Sequence, residues 1–336
     1  MNGEYDRILG MLLGCAIGDA MGMPAEMWSR RRIRSYFGHI DGFLPGPPEN
    51  EISGGFAPGE TTDDTIVTFI VAKALIETKG RPAPLDIVER IERWSAENPK
   101  SKTIIGPSTR RAFEQISRGV PAEQAGRYGE TNGASMRISP VGAICRADDP
   151  EDLCARVAAI CMPTHNTATA ISGACAVAAA VAHGGGGGAI ASMIAPAAEA
   201  ARRGADLGYD VCGASVAERL LFSAALSDAT PDDEAFLQRQ YELIGAGLPT
   251  TESVPTALAV AYRTRGDVLR CAKMCANLGG DTDTLGAIAC AVAGAHSGAA
   301  AVDADAAARV RQVNGHDFDA TAQALCALRA QLHPRQ

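Results

Sequence analysis

The 336-residue sequence predicts an all-α protein. Three observations carry that assignment. Apolar residues recur at i, i+3, i+4 spacing in segment after segment, no segment alternates polar and apolar residues as a half-buried strand does, and several helical segments are so rich in Ala and Gly that neighbouring helices can approach closely. With 46% hydrophobic and 21% charged residues the chain has ordinary globular usage, which excludes a disordered tail or a fibre. The length allows a core large enough to need no staples, and no break in composition divides the chain. One domain over residues 1–336 is expected, interrupted by a long Gly/Pro-rich loop at 37–60.

The elements follow in order. Leu12-Leu13-Gly14-Cys15 looks like the cleavage box of a bacterial lipoprotein, but Glu4 and Asp6 flank a single Arg7 and only Ile8–Leu13 precede the box. A signal peptide opens with a basic region and a longer apolar run, so a buried first helix is expected instead. Gly14, Gly18 and Gly22 recur every fourth residue and so share one helical face, a pattern for tight helix packing. Glu26 follows just after Pro24, placed to reach into a cleft. Arg30, Arg31, Arg32 and Arg34 read as a solvated, charged helix face.

Between 37 and 60, ten glycines and prolines mark the irregular loop. Helical periodicity then returns in Thr65–Thr78, Leu85–Trp94, Asp152–Met162, Ala168–His183, Met193–Arg203, Asp232–Ile244, Pro255–Thr264, Val268–Asn277, Asp283–Ala295 and Asp319–Leu332. The glycine run 184–188 reads as a flexible connection between helices; it lacks the GK[ST] of a phosphate cradle. The longest weakly polar stretch, Ala168–Ala182, is mostly alanine and short for a bilayer, so no membrane span is expected. The ten cysteines lie mostly in apolar stretches without any CxxC, which disfavours zinc and disulfides and fits a reducing cytoplasm. The formal charge of -8 disfavours sequence-independent nucleic-acid binding but not a small anionic ligand in one local pocket.

The acids cluster in two places. Glu60-Thr61-Thr62-Asp63-Asp64-Thr65 leads into one helix, and Gly279-Gly280-Asp281-Thr282-Asp283-Thr284 leads into another. Thr and Asp are preferred caps, yet one cap needs one such residue and each segment supplies several. Adjacent carboxylates repel unless a positive charge stands between them. Oxygen ligands of this kind suit Mg²⁺, Mn²⁺ or Ca²⁺ rather than zinc. An EF-hand starting at Asp281 fails, because Leu285 and Val292 fall where oxygen ligands are required. If the two segments converge, Asp63, Asp64, Asp281 and Asp283 are enough to hold two metals. Asn132-Gly133-Ala134-Ser135-Met136-Arg137 is either an ordinary capped loop or a turn whose free N–H groups hold an anion. His165, opening the Ala-rich helix, is by type more often a structural hydrogen-bonder than a catalyst. GxSxG is absent, so no serine-nucleophile motif competes.

Taken together and in this order, these segments resemble the ADP-ribosylglycohydrolase family, whose members include the bacterial enzyme that reactivates dinitrogenase reductase. The matching residues are Gly18-Asp19-Ala20 with Glu26, Thr62-Asp63-Asp64-Thr65, Asn132-Gly133 with Met136-Arg137, Thr164-His165, and Gly279–Thr284. The match runs from about residue 7 to about residue 330. The resemblance implies a single, compact, orthogonal helical domain holding two divalent cations, Mg²⁺ or Mn²⁺. It makes Thr62, Asp63, Asp64, Asp281, Asp283 and Thr284 the metal ligands, and sets Glu26 across the cleft on a loop that acts as a lid. It places Asn132, Gly133, Ser135, Met136 and His165 around the ADP-ribose. Relatives acting on ADP-ribosyl-arginine often carry an acid in an Asp-Ile-Gly run; here the stretch is Ile104-Ile105-Gly106, which speaks against an arginine linkage.

The implied chemistry is hydrolysis at the anomeric carbon of a ribose, with Glu26 as general acid or base. Three functions are compatible with the sequence: an ADP-ribosyl hydrolase acting on a modified macromolecule, a ribosyl N-glycosidase for a free nucleoside-like compound, and a metal-binding relative without catalysis.

Overall fold

The protein is described here from a computed structural model, which covers residues 3–334. Among these residues there are eighteen α-helices and four short 3₁₀ turns but no β-sheet; three isolated bridges are the only strand-like pairings. The all-α prediction therefore holds.

The first helix, Gly3–Gly22, is buried from Ile8 onward and packs along the Thr282–Ser297 helix. The two run antiparallel and touch backbone to backbone. Gly10 faces Gly294, Gly14 faces Cys290, Gly18 faces Gly286 and Gly22 faces Thr282; a Cβ added at any of these glycines would fall inside the opposing carbonyl group. The expected glycine face is thus a contact surface, and Gly286 and Gly294 complete it from the partner helix. Around this pair sit the Val268–Ala276, Thr250–Thr264 and Ala168–Gly185 helices, the last with fourteen buried residues. Gly3–Ala25 and Ala168–Gly185 are each long and apolar enough to cross a membrane, but both are core segments here. All ten cysteines are free, and only Cys212 and Cys326 are not buried.

Several elements differ from expectation for local reasons. The Thr250–Thr264 helix begins five residues before Pro255. Proline cannot bond the carbonyl four residues back, and that carbonyl, on Thr251, instead accepts from the Arg219 guanidinium at 3.0 Å. The Val216–Ala229 helix was not expected; Ser215 caps it by accepting from Glu218 N. Gly184 and Gly185 finish the Ala168 helix, so only Gly186–Gly188 connect. Arg30 corrects the expectation of a solvated arginine face. It is 3% exposed and donates to Asn277 O, Gln238 and Glu234. Asn277 in turn bonds both backbone groups of Ile40, fastening the 37–60 loop to the helix that precedes Gly279.

The glycine contact makes a sharp prediction. Gly18→Ala should cost about 3 kcal/mol, the upper end for overpacking, because backbone rather than a side chain must move. Gly315→Ala, at a position with open space, should change little. Urea unfolding of the two variants checks this; equal midpoints would refute the close contact.

Candidate active site

The two acidic segments converge. Asp63 and Asp64 form the first turn of the Asp63–Glu77 helix, and Asp283 and Thr284 lie in the first turn of the Thr282–Ser297 helix. Both helix N-termini therefore point their positive ends at one pocket of about 40 Å³. Glu26, Asp63, Asp64, Asp281, Asp283 and Thr284 line one side of it. One oxygen each from Glu26, Asp281 and Asp283 lies within 4.8 Å of the others.

Capping does not account for these acids. At the first motif Thr62 takes the cap, accepting from Asp64 N at 3.4 Å, which leaves both aspartates free. At the second, Asp281 stands in the cap position without any side-chain cap bond. Its carboxylate instead accepts from Asn132 Nδ2 at 2.5 Å. Asp64 Oδ2 lies within hydrogen-bonding distance of hydroxyls from both motifs, Thr62 at 3.2 Å and Thr284 at 3.3 Å.

Backbone geometry fixes the remaining pieces. Gly280 adopts φ 85°, and a Cβ there would strike Ala246 O, so only glycine can turn the chain to present Asp281. Gly280 also pairs with Trp28 and Met27 through two backbone bonds of 2.9 and 2.7 Å. Asn50, from the Gly/Pro-rich loop, donates to Glu26 O at 3.0 Å. The segment that the resemblance casts as a lid is thus stapled on both sides of Glu26, and Met27 sits at a left-handed φ of 59°.

One residue quoted in the match but given no role proves central to the geometry. Asp19 is fully buried and accepts from Thr62 N, Thr62 Oγ1, Thr65 N and Thr65 Oγ1. It therefore holds the first motif in place from the glycine helix. A charged residue beside Gly18 on an otherwise apolar helix was the available signal. Thr62, bound to Asp19 and Asp64, stands behind the pocket wall rather than on it.

The electrostatics are those of a site built around positive charge. Burial, followed by the neighbouring carboxylates, pushes Glu26, Asp63, Asp64 and Asp283 well above the usual carboxylate range. Burial also raises Asp281, against the pull of its Asn132 bond. Asp19 is pushed up to about 6 by burial, opposed by its bonds to Thr65 and Thr62. Three buried carboxylate oxygens of the site have no hydrogen-bond partner: Glu26 Oε2, Asp64 Oδ1 and Asp283 Oδ1. Buried acceptors left open and crowded by like charge form the donor set a hard cation takes, so the residues fit divalent metal.

The rest of the pocket's lining is uncharged. Ile104, Gly106, Pro107, Thr109, Thr131, Asn132, Gly133, Met136 and Leu248 form it. Thr131 and Leu248 were not legible in the sequence, because they meet through chain pairings of Asn132 N with Leu248 O and Thr250 N with Glu130 O. Asn132, Gly133 and Met136 reach the pocket as the resemblance implies. Ser135 and His165 do not; both are fully buried behind the wall, His165 directly beneath Gly133.

The sequence profile of the ADP-ribosylglycohydrolase family matches residues 1–335. The uncharacterized protein YegU of Escherichia coli strain K12 is 38% identical, with 98% of each chain covered. ADP-ribosylhydrolase ARH3 of Mus musculus is 26% identical over 88% of this chain and 85% of its own. The solved structure of an ADP-ribosylglycohydrolase-related protein complex superposes with a TM-score of 0.69 at 25% identity, covering 98% of this chain and all of the other. With its two acidic helix starts meeting in one pocket, the chain belongs to the ADP-ribosylglycohydrolase family.

Proposed function

We propose that the protein is a metal-dependent hydrolase that cleaves the glycosidic bond at the anomeric carbon of an ADP-ribosylated substrate. The observation that carries this reading is the trio of buried, unpartnered carboxylate oxygens around one small pocket. Family membership supports the reaction class. Asp63, Asp64, Asp281, Asp283 and Thr284 would hold two divalent cations, Mg²⁺ or Mn²⁺, with Thr62 behind them bracing Asp64. When bound, such ions supply electrostatic stabilisation of charge developing on the ribose oxygens.

The chain's own residues do the rest. Asn132 fixes the Asp281 carboxylate at the pocket through one of its oxygens. Asp64 Oδ2 faces the threonine hydroxyls of both motifs, and Oδ1 is its open atom. Glu26, the one acid of the cluster that belongs to neither helix start, is assigned the proton transfer. Its Oε2 is unbonded within the site and so open to the departing group or to a water. The bonds to Glu26 O, Met27 N and Trp28 O hold the backbone that carries this side chain at the pocket.

The uncharged wall favours a second reading on linkage. Where an acid would pair with an arginine guanidinium, Ile104 and Gly106 line the pocket. Such a wall suits a neutral leaving group: an O-linked residue on a modified macromolecule, or the base of a free nucleoside-like compound, which makes the protein a ribosyl N-glycosidase.

Two measurements test these readings. Mg²⁺ or Mn²⁺ at a hundredfold its Kd should stabilise the fold by about 2.7 kcal/mol per site. Asp64→Asn or Asp283→Asn should abolish the rise in Tm, while melting curves indifferent to EDTA and metal would remove the metal site. Arginine-, serine- and nucleotide-linked ADP-ribose are then screened beside simple ribonucleosides with Mg²⁺. Release of free ADP-ribose supports the hydrolase, base release from ribonucleosides alone supports the N-glycosidase, and no turnover on any of them leaves a non-catalytic metal-binding relative. Glu26→Gln should slow the favoured reaction by roughly 10²- to 10⁴-fold while keeping the metal-induced rise in Tm; undiminished turnover would move the proton-transfer role elsewhere.

A further inference from the structure

Behind the uncharged wall runs a line of buried polar groups that the proposed reaction leaves unused. Arg137 Nη2 donates to Thr164 Oγ1 at 2.7 Å, and Thr164 Oγ1 lies 2.8 Å from His165 Nδ1. His165 Nε2 lies 3.1 Å from Thr131 Oγ1, which donates to Ser108 Oγ at 2.9 Å. Arg137, Thr164 and His165 are at most 1% exposed, whereas Thr131 reaches the pocket. Gly133 makes room for the ring, since a Cβ there would come within 3.0 Å of His165 Nε2.

The direction of the protons follows from counting donors. A guanidinium only donates, so Thr164 Oγ1 accepts from Arg137. The hydroxyl hydrogen of Thr164 then has one acceptor in reach, His165 Nδ1. With a proton on Nδ1, two donors would face the Thr164 oxygen and its own hydrogen would be stranded in a dry interior. Nδ1 therefore accepts and the Nε2–H donates to Thr131. Thr131 sends its own hydrogen to Ser108, which leaves one lone pair to offer the pocket.

We infer that the chain Arg137–Thr164–His165–Thr131–Ser108 locks His165 as the neutral Nε2–H tautomer and makes Thr131 a hydrogen-bond acceptor toward the pocket. This wall then selects a substrate group that donates, a ribose hydroxyl or an N–H, over one that only accepts. His165 is a positioning residue: it sets the Thr131 hydroxyl and touches no substrate. Burial and the Arg137 charge hold its ring well below the usual histidine range, in keeping with a neutral imidazole. The substrate half of the inference rests on the proposed ribosyl reading; the tautomer half does not.

The test uses the full-length protein labelled with ¹⁵N-histidine. Long-range ¹H–¹⁵N spectra, with His165 assigned by its loss in His165→Gln, should show an unprotonated Nδ1 and a protonated Nε2. That pattern should persist from about pH 5 to about pH 8, where an ordinary histidine titrates. A proton on Nδ1 at any pH in that window overturns the chain's direction. For the wall, calorimetric titration of ADP-ribose in Mg²⁺ should show Thr131→Val binding about fivefold to tenfold more weakly, as for one lost hydrogen bond, and Thr131→Ser restoring affinity. Equal binding by Thr131→Val and wild type overturns the selection by this wall. A wild-type protein that binds no ADP-ribose overturns the ribosyl reading instead, and the tautomer result stands apart from it.

Discussion

The site depends on one backbone-to-backbone contact, the glycine-lined seam between the Gly3–Gly22 and Thr282–Ser297 helices. Because the glycines interlock at four levels, the seam fixes axial register as well as distance. Gly22 lies against Thr282, so the chain that leaves the first helix delivers Glu26 to the spot where the second acidic segment begins. A slip of one helical turn, about 5.4 Å, would carry Glu26 out of reach of Asp281 and Asp283. The same helix carries Asp19, whose four bonds hold Thr62 and Thr65. One seam therefore sets all three acidic segments relative to one another, although they are separated by up to about 260 residues of sequence.

Burying so many carboxylates is unfavourable unless something compensates. Two helix N-termini contribute partial positive charge, and Arg137, buried near Asp63, contributes a full one. The three open oxygens mark the charge that remains unbalanced. On the proposed reading divalent cations complete the balance, which makes metal binding and stability two views of the same interaction. The staples around Glu26, from Gly280 on one side and Asn50 on the other, keep this carboxylate in the cluster despite the repulsion of its neighbours.

What was legible in the sequence follows a physical division. Helix type and the glycine face could be read because periodicity is local, and the surplus of acids at two helix starts exceeded what capping needs. Convergence of those starts depends on the partner face, Gly286 and Gly294, which has no meaning until the two helices meet. Arg30 was misread for the same reason: its neighbours in sequence are charged and exposed, while its partners Asn277, Gln238 and Glu234 lie more than 200 residues away. Pro255 misled because its usual cost is met by a distant side chain, Arg219. Thr131 and Leu248 became wall residues through non-local backbone pairing, and His165 went beneath Gly133 because the turn above it lacks a side chain.

The formal charge of -8 takes on a different meaning once the acids are located. Glu26, Asp63, Asp64, Asp281 and Asp283 are buried, so this fraction of the charge is not a surface field that repels anions at long range. It is concentrated where the dielectric is low and each interaction is strongest. Two divalent cations there would offset four of the eight charges and reverse the local preference, from excluding an anionic substrate to attracting one. Ile104, Pro107, Met136 and Leu248 add apolar lining that brings no competing charge into the pocket. On the proposed reading, a pocket polarised in this way would stabilise charge that develops on a bound sugar as a group departs from its anomeric carbon.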